Sequence, residues 1–162
     1  MLTRRTALRA GLFSFAAFAG GARGAAAQDT SSNAAHVERT DAEWRKMLAP
    51  DQYAILRKEG TERAFSSPLL EEHRAGVFVC AGCELDLFAS TTKFDSGTGW
   101  PSFWKPLDKA VVEHTDHNFG MTRTAVNCRR CDGHLGHVFD DGPQPTGLRY
   151  CMNGAALKFK PA

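Results

Sequence analysis

Two Cys-x-x-Cys pairs, Cys80/Cys83 and Cys128/Cys131, constrain this chain more than any other feature. Each puts two sulfurs on one tight turn, and two such turns complete the tetrahedral four-sulfur site that structural zinc prefers. The 44 residues between the pairs exceed a compact zinc ribbon, so one ion would tie two distant strand pairs together. Four thiolates satisfy zinc completely, so the expected site is closed and structural. The same residues could instead form two disulfides in an exported protein, with three pairings open. A thioredoxin-like redox pair is the third option. It calls for a following helix, whereas Glu84-Leu85-Asp86-Leu87-Phe88 alternates like a strand. With four of five cysteines so employed, Cys151 is left over.

The texture on either side of Gly76 differs. Thr40 followed three residues later by Glu43 has capping-box spacing, and Trp44, Met47 and Leu48 then fall on one helical face. Pro50 ends that helix and opens a second, with Tyr53, Ile55 and Leu56 apolar and Gly60 as its stop. Pro68 to His73 adds a further helical turn. These helices read as a lid or collar. After Gly76 the chain shows short strand patterns separated by turn signals: 77–80, 85–88, 110–114, 121–127, 138–139 and 150–159. No βαβ alternation and no internal repeat appears. The expectation is a mainly β (α+β) domain over residues 39–162, with two small antiparallel sheets tied by the four-cysteine zinc site and short N-terminal helices.

At 162 residues the chain suffices for one ordinary core. Its formal charge of +2 rests on Arg4, Arg5, Arg9 and Arg23. Beyond residue 28 there remain 16 basic against 18 acidic residues, which lacks the basic footprint of a nucleic-acid binder. Residues 1–28 read as an export signal: Arg4 and Arg5, an apolar run from Gly11 to Gly21, then Ala25-Ala26-Ala27 for cleavage. The run is too short for a permanent membrane span. Thr3-Arg4-Arg5 resembles a twin-arginine signal, although Ala7 stands where such signals often carry a bulky apolar residue. The expected destination is the bacterial periplasm, with residues 29–38 as a polar linker and a monomer as the mature form.

Cys151 lies in Gly147-Leu148-Arg149-Tyr150-Cys151-Met152-Asn153-Gly154. A lone cysteine is commonly a small core residue. Arg149, with His134 and His137 in a His-x-x-His pair, favours a nucleophile instead, because cationic neighbours lower a thiol's pKa and imidazole titrates near neutral pH. The histidines could equally be a hydrogen-bonded structural pair. Trp100 and Phe103 belong to a loop, Gly99-Trp100-Pro101-Ser102-Phe103, where an exposed aromatic wall could form; aromatics of this kind more commonly fill a core.

SGTGWPSF at 96–103, CDGHLGHVFDDGPQPTG at 131–147 and RYCMN at 149–153, together with the two Cys-x-x-Cys pairs, resemble the B-type methionine sulfoxide reductases over roughly residues 40–160. The resemblance implies thiol-dependent reduction of methionine-(R)-sulfoxide in peptides and proteins on a β-rich fold. It also implies Cys151 as nucleophile, His134 and His137 in proton delivery, Asn153 ordering the site and Arg149 beside the thiol. Trp100 would wall the methyl pocket, with Phe103 near it, and Cys80, Cys83, Cys128 and Cys131 would bind one zinc. Attack by Cys151 on the sulfoxide sulfur would leave methionine and a sulfenic acid. Many family members carry a resolving cysteine where this chain has Thr98. The expected cycle therefore has no internal disulfide and ends on an external thiol, a thioredoxin-like protein or a small molecule. Two rivals use the same cysteines: a non-catalytic zinc module that binds a protein partner, and a general thiol oxidoreductase.

Overall fold

Thr40 starts the first helix as its sequence requires. Its hydroxyl accepts from the Glu43 backbone N–H while the Glu43 carboxylate accepts from the Thr40 N–H, and α1 (Asp41–Met47) follows. Pro50 then opens α2 (Pro50–Lys58). The stop is Glu59 rather than Gly60: Glu59 takes the left-handed conformation, φ 55°, and the Gly60 N–H donates back to the Ala54 carbonyl. The computed structural model describes residues 35–117 and 120–162. The export signal expected at 1–28 and most of the linker lie outside them. Among the described residues no helix is long and apolar enough to cross a membrane.

Among the described residues, nine strands in two antiparallel sheets follow. β1 (Gly76–Cys80) is the middle of the first, flanked by β2 (Asp86–Ala89) and β9 (Leu157–Pro161). The second has the order β3-β4-β8-β7-β6-β5, with β3 Lys93–Phe94, β4 Ser102–Phe103, β5 Val111–Asp116, β6 Arg123–Cys128, β7 His134–Phe139 and β8 Arg149–Met152. The segment 150–159, expected as one strand, is two. β8 ends at Met152, the backbone turns through Gly154–Ala156, and β9 joins the other sheet. β7 in turn begins four residues before the expected 138–139.

Between the sheets sits an aromatic core. Phe103 stacks on Phe88 at 4.4 Å between ring centroids, and Phe78 meets Phe103 edge-on at 5.0 Å. Leu87, Val126, Leu135 and Met152 complete it, all fully buried. Burying such side chains contributes roughly 1.5–3 kcal/mol each. The helices cover the cysteine turns: Leu56 and Trp44 lie against Gly82, and Leu56 against Gly133.

Candidate active site

The four paired cysteines converge. Their sulfurs all lie within 4.8 Å of one another, with Cys80–Cys131 at 3.7 Å and Cys83–Cys128 at 3.5 Å. A disulfide needs about 2.05 Å. A tetrahedron with arms of ~2.3 Å has edges of about 3.8 Å, so the spacing fits one zinc ion. The electrostatics fit as well. Mutual sulfur hydrogen bonding drives Cys83 and Cys131 down and Cys80 and Cys128 up, and a cation at the centre would hold all four as thiolates. The donors come from the β1–β2 turn and the β6–β7 turn, hence the metal would join the two sheets.

Cys151 stands elsewhere, in the middle of β8. Its neighbours follow from register: Ser102 of β4 is directly opposite on one side and His137 of β7 on the other. Residues opposite each other share a face. The next row on that face brings Arg149 opposite Phe139, with the guanidinium 4.5 Å from the ring centroid. A cleft of about 130 Å³ opens there, lined by Thr61, Trp100, Arg123, His137, Phe139, Cys151 and Asn153.

His134 and His137 are three residues apart, which in a regular strand sets them on opposite faces. A bulge corrects this. Asn127 pairs with His134 and Val126 with Gly136, so Leu135 is an extra residue on β7. The imidazoles consequently meet edge-on, 5.2 Å between centroids. Gly136, between the two histidines, lets β8 lie close, since a Cβ there would come within 2.1 Å of the Cys151 carbonyl oxygen. The two rings are not equivalent. His137 lines the cleft and its Nε2 is 2.8 Å from Asp116 Oδ2, which Arg123 also holds at 2.7 Å. His134 lies one layer behind, 3 % exposed, with Nδ1 3.3 Å from Asn127 Oδ1. Burial lowers both imidazoles, His134 to about 4, so both are neutral at pH 7.

Arg149 was expected to depress the Cys151 thiol. Burial dominates instead and raises it above its ordinary value, against the opposing pull of the Thr98 hydroxyl, Arg149 and Ser102. The guanidinium is engaged elsewhere, donating to both Asp141 carboxylate oxygens at 2.8 Å. The expectation for Phe103 fails. It is opposite Tyr150, on the face of the sheet away from Cys151, and its ring is fully buried against Phe88. It is a core residue.

Trp100 and Asn153 do reach the cleft, and one unforeseen residue fixes both. The Glu62 carbonyl accepts from Trp100 Nε1 at 3.2 Å, and the Glu62 N–H donates to Asn153 Oδ1 at 3.0 Å. Its carboxylate accepts from the Gly154 and Ala155 N–H groups at 2.6 and 2.9 Å. Asn153 Nδ2 donates in turn to the carbonyl of Leu135, the bulged residue itself. Thr98 adds a hydroxyl 3.9 Å from Cys151 Sγ, at the end of a chain through Ser96 to Ser102 with links of 2.8 and 2.7 Å. Glu62 and Asp116 belong to no periodic or motif pattern in the sequence, and only the fold brings them to the site.

Residues 48–161 match the SelR domain. The chain is 57% identical over 124 residues to the peptide methionine sulfoxide reductase MsrB of Thiobacillus denitrificans, covering 76% of this chain and 94% of that protein. It is 56% identical over 126 residues to the protein of that name from Pseudomonas putida strain W619, covering 77% and 95%. The Agrobacterium fabrum protein of the same name shares 53% over 126 residues, covering 77% and 93%.

Proposed function

The chain belongs to the SelR-domain family, the B-type methionine sulfoxide reductases, and we propose how its cleft carries out the reaction. It reduces methionine-(R)-sulfoxide in peptides and proteins to methionine, which repairs oxidised polypeptides. The assignment of roles rests on one observation: Cys151 stands between Ser102 and a histidine that is itself held by Asp116. A merely structural zinc module has no use for that row.

The sulfoxide enters with its S-methyl against the Trp100 indole, where sulfur–aromatic contact contributes roughly 0.3–1.5 kcal/mol. With Nε2–H donated to the Asp116 carboxylate, neutral His137 keeps Nδ1 as its acceptor. That nitrogen takes the Cys151 proton as the thiol sulfur attacks the sulfoxide sulfur, and the imidazolium returns it to the departing oxygen. The protonated oxygen then migrates to the Cys151 sulfur: a Cys151 S–O bond forms as the substrate S–O bond and the transient S–S bond break, which leaves a sulfenic acid on Cys151 and releases methionine. A raised thiol pKa suits this sequence, because the proton that leaves Cys151 is the one the oxygen requires. Inverting the sulfur would exchange methyl and oxygen, setting the oxygen against the indole. His134 is a positioning residue, packed edge-on behind His137. Zinc held by Cys80, Cys83, Cys128 and Cys131 supplies folding energy and no step of the reaction.

The oxidised enzyme is then cleared by an external thiol. One thiol displaces water from the sulfenic acid to give a mixed disulfide, and a second displaces Cys151, which is restored as the external disulfide departs. Thr98 supports this reading, since its hydroxyl occupies the position next to Cys151 Sγ. Thiol trapping after one turnover tests it, and an internal disulfide at Cys151 would contradict it. The positive n-region and apolar run of residues 1–28 support an envelope location, with a thioredoxin-like protein or small thiol as donor.

A further inference from the structure

Phe65 is 72% exposed, yet its backbone holds the left-handed conformation, φ 63°. A bulky side chain rarely adopts that region, and an exposed ring gains little by burial to offset the strain. The loop nevertheless fixes it. The Phe65 N–H donates to the Gly99 carbonyl at 2.7 Å. Its ring lies over Gly99, where an added Cβ would come within 2.8 Å of Cδ2. Gly99 precedes Trp100, so the phenyl stands at the base of the indole wall.

Beside it is a second hollow, of about 140 Å³. Phe65, Leu70, Phe94, Trp100 and Pro101 supply its apolar surface, with Glu71, Lys93 and Asp95 among its polar lining residues. Trp100 is the partition between this hollow and the Cys151 cleft, since it lines both. A polypeptide whose oxidised methionine is against one side of the indole must pass its neighbouring residues over or around the other. An apolar or aromatic side chain that enters the hollow loses water-exposed area against these five residues, while Glu71, Lys93 and Asp95 are left to the polar backbone around it.

We propose that Phe65 and this hollow are a subsite for an apolar residue flanking the methionine sulfoxide in a polypeptide substrate. The inference rests on the reduction proposed for the cleft and adds which sequences around the sulfoxide are favoured. It also assigns a purpose to the strained backbone: presenting the ring outward.

The test compares three substrates: N-acetyl-methionine-(R)-sulfoxide, a peptide with the sulfoxide flanked by leucines, and the same peptide flanked by glycines. Phe65→Gly is the informative variant, because glycine keeps the N–H bond and tolerates the left-handed backbone. The expected result is about a tenfold loss of kcat/KM on the leucine-flanked peptide, of the size a lost apolar contact produces. Rates on the other two substrates should stay within about twofold, with zinc content and Tm held and Phe65→Tyr restoring the preference. Equal loss on all three substrates would mean that Phe65 only props Trp100. No loss on any, or no preference for the leucine-flanked peptide in the wild type, would likewise overturn the subsite. Failure of the metal-loaded wild type to reduce the N-acetyl substrate would overturn the reading of the cleft itself.

Discussion

Glu62→Gln isolates the residue that couples the indole wall to the nucleophile's strand. The Glu62 backbone bonds to Trp100 and Asn153 survive the substitution, while the carboxylate's two bonds to Gly154 and Ala155 do not both survive. Glutamine offers one acceptor oxygen. Its amide nitrogen, itself a donor, must face the second backbone N–H. Orphaning that N–H costs about 1–3 kcal/mol, and the remaining bond loses its charge assistance. A net loss of about 2 kcal/mol lowers Tm by about 8 °C in a domain of this size. Loosening Gly154 and Ala155 also frees Asn153 and the end of β8. Misplacing reacting groups by about 1 Å can cost on the order of a hundredfold, so kcat should fall at least about tenfold while zinc stays bound. Thermal unfolding followed by circular dichroism, beside single-turnover reduction of a methionine-(R)-sulfoxide peptide, measures both. A variant with wild-type Tm and kcat would show that the carboxylate holds nothing.

Two further outcomes follow from the buried groups. His134 titrates at about 4 in the folded protein against an ordinary 6.5, so the unfolded chain takes up a proton first as pH falls. The neutral form's contribution is complete above pH 6.5 and lost towards pH 4, about 2 kcal/mol of it by pH 5. Denaturant midpoints at pH 7 and pH 5 should therefore separate in the wild type more than in His134→Gln. The variant retains the zinc cysteines, so acid release of metal contributes equally to both, and equal separations would contradict a buried neutral His134. Chelation, or Cys128→Ser, should abolish cooperative unfolding, because the ion ties the β1–β2 turn to the β6–β7 turn. A chelated protein with unchanged Tm would exclude a structural metal.

The sequence carried the fold wherever local chemistry decides it. Thr40 and Glu43 announce a capping box and Pro50 a helix start, and both were formed as expected. The two Cys-x-x-Cys turns converge because the metal geometry leaves them little else to do. What was not legible depends on register and on burial. The bulge at Leu135, which brings His134 and His137 to one face, has no signature among the residues around it. Phe103 looked like a pocket residue because it follows Trp100 so closely, but strand alternation turns it into the core. Arg149 does pull the Cys151 thiol down, but burial of the sulfur, which no residue pattern announces, outweighs it, and Asp141 shares the guanidinium. Glu62 lies 91 residues from the asparagine it orders, a distance no motif spans.

The central claim, that Cys151 is the one cysteine that reacts while the other four hold metal, is tested by one single-turnover experiment without reductant. Metal-loaded wild type and Cys151→Ser are each mixed with resolved (R)- and (S)-methionine sulfoxide peptides, and the intact protein is then weighed. The account predicts one equivalent of methionine from the R epimer only and one oxygen atom added at Cys151. It also predicts no internal disulfide, one zinc retained per chain and no product from the variant. Methionine formed by Cys151→Ser, or turnover coupled to loss of zinc and a disulfide among Cys80, Cys83, Cys128 and Cys131, would contradict it.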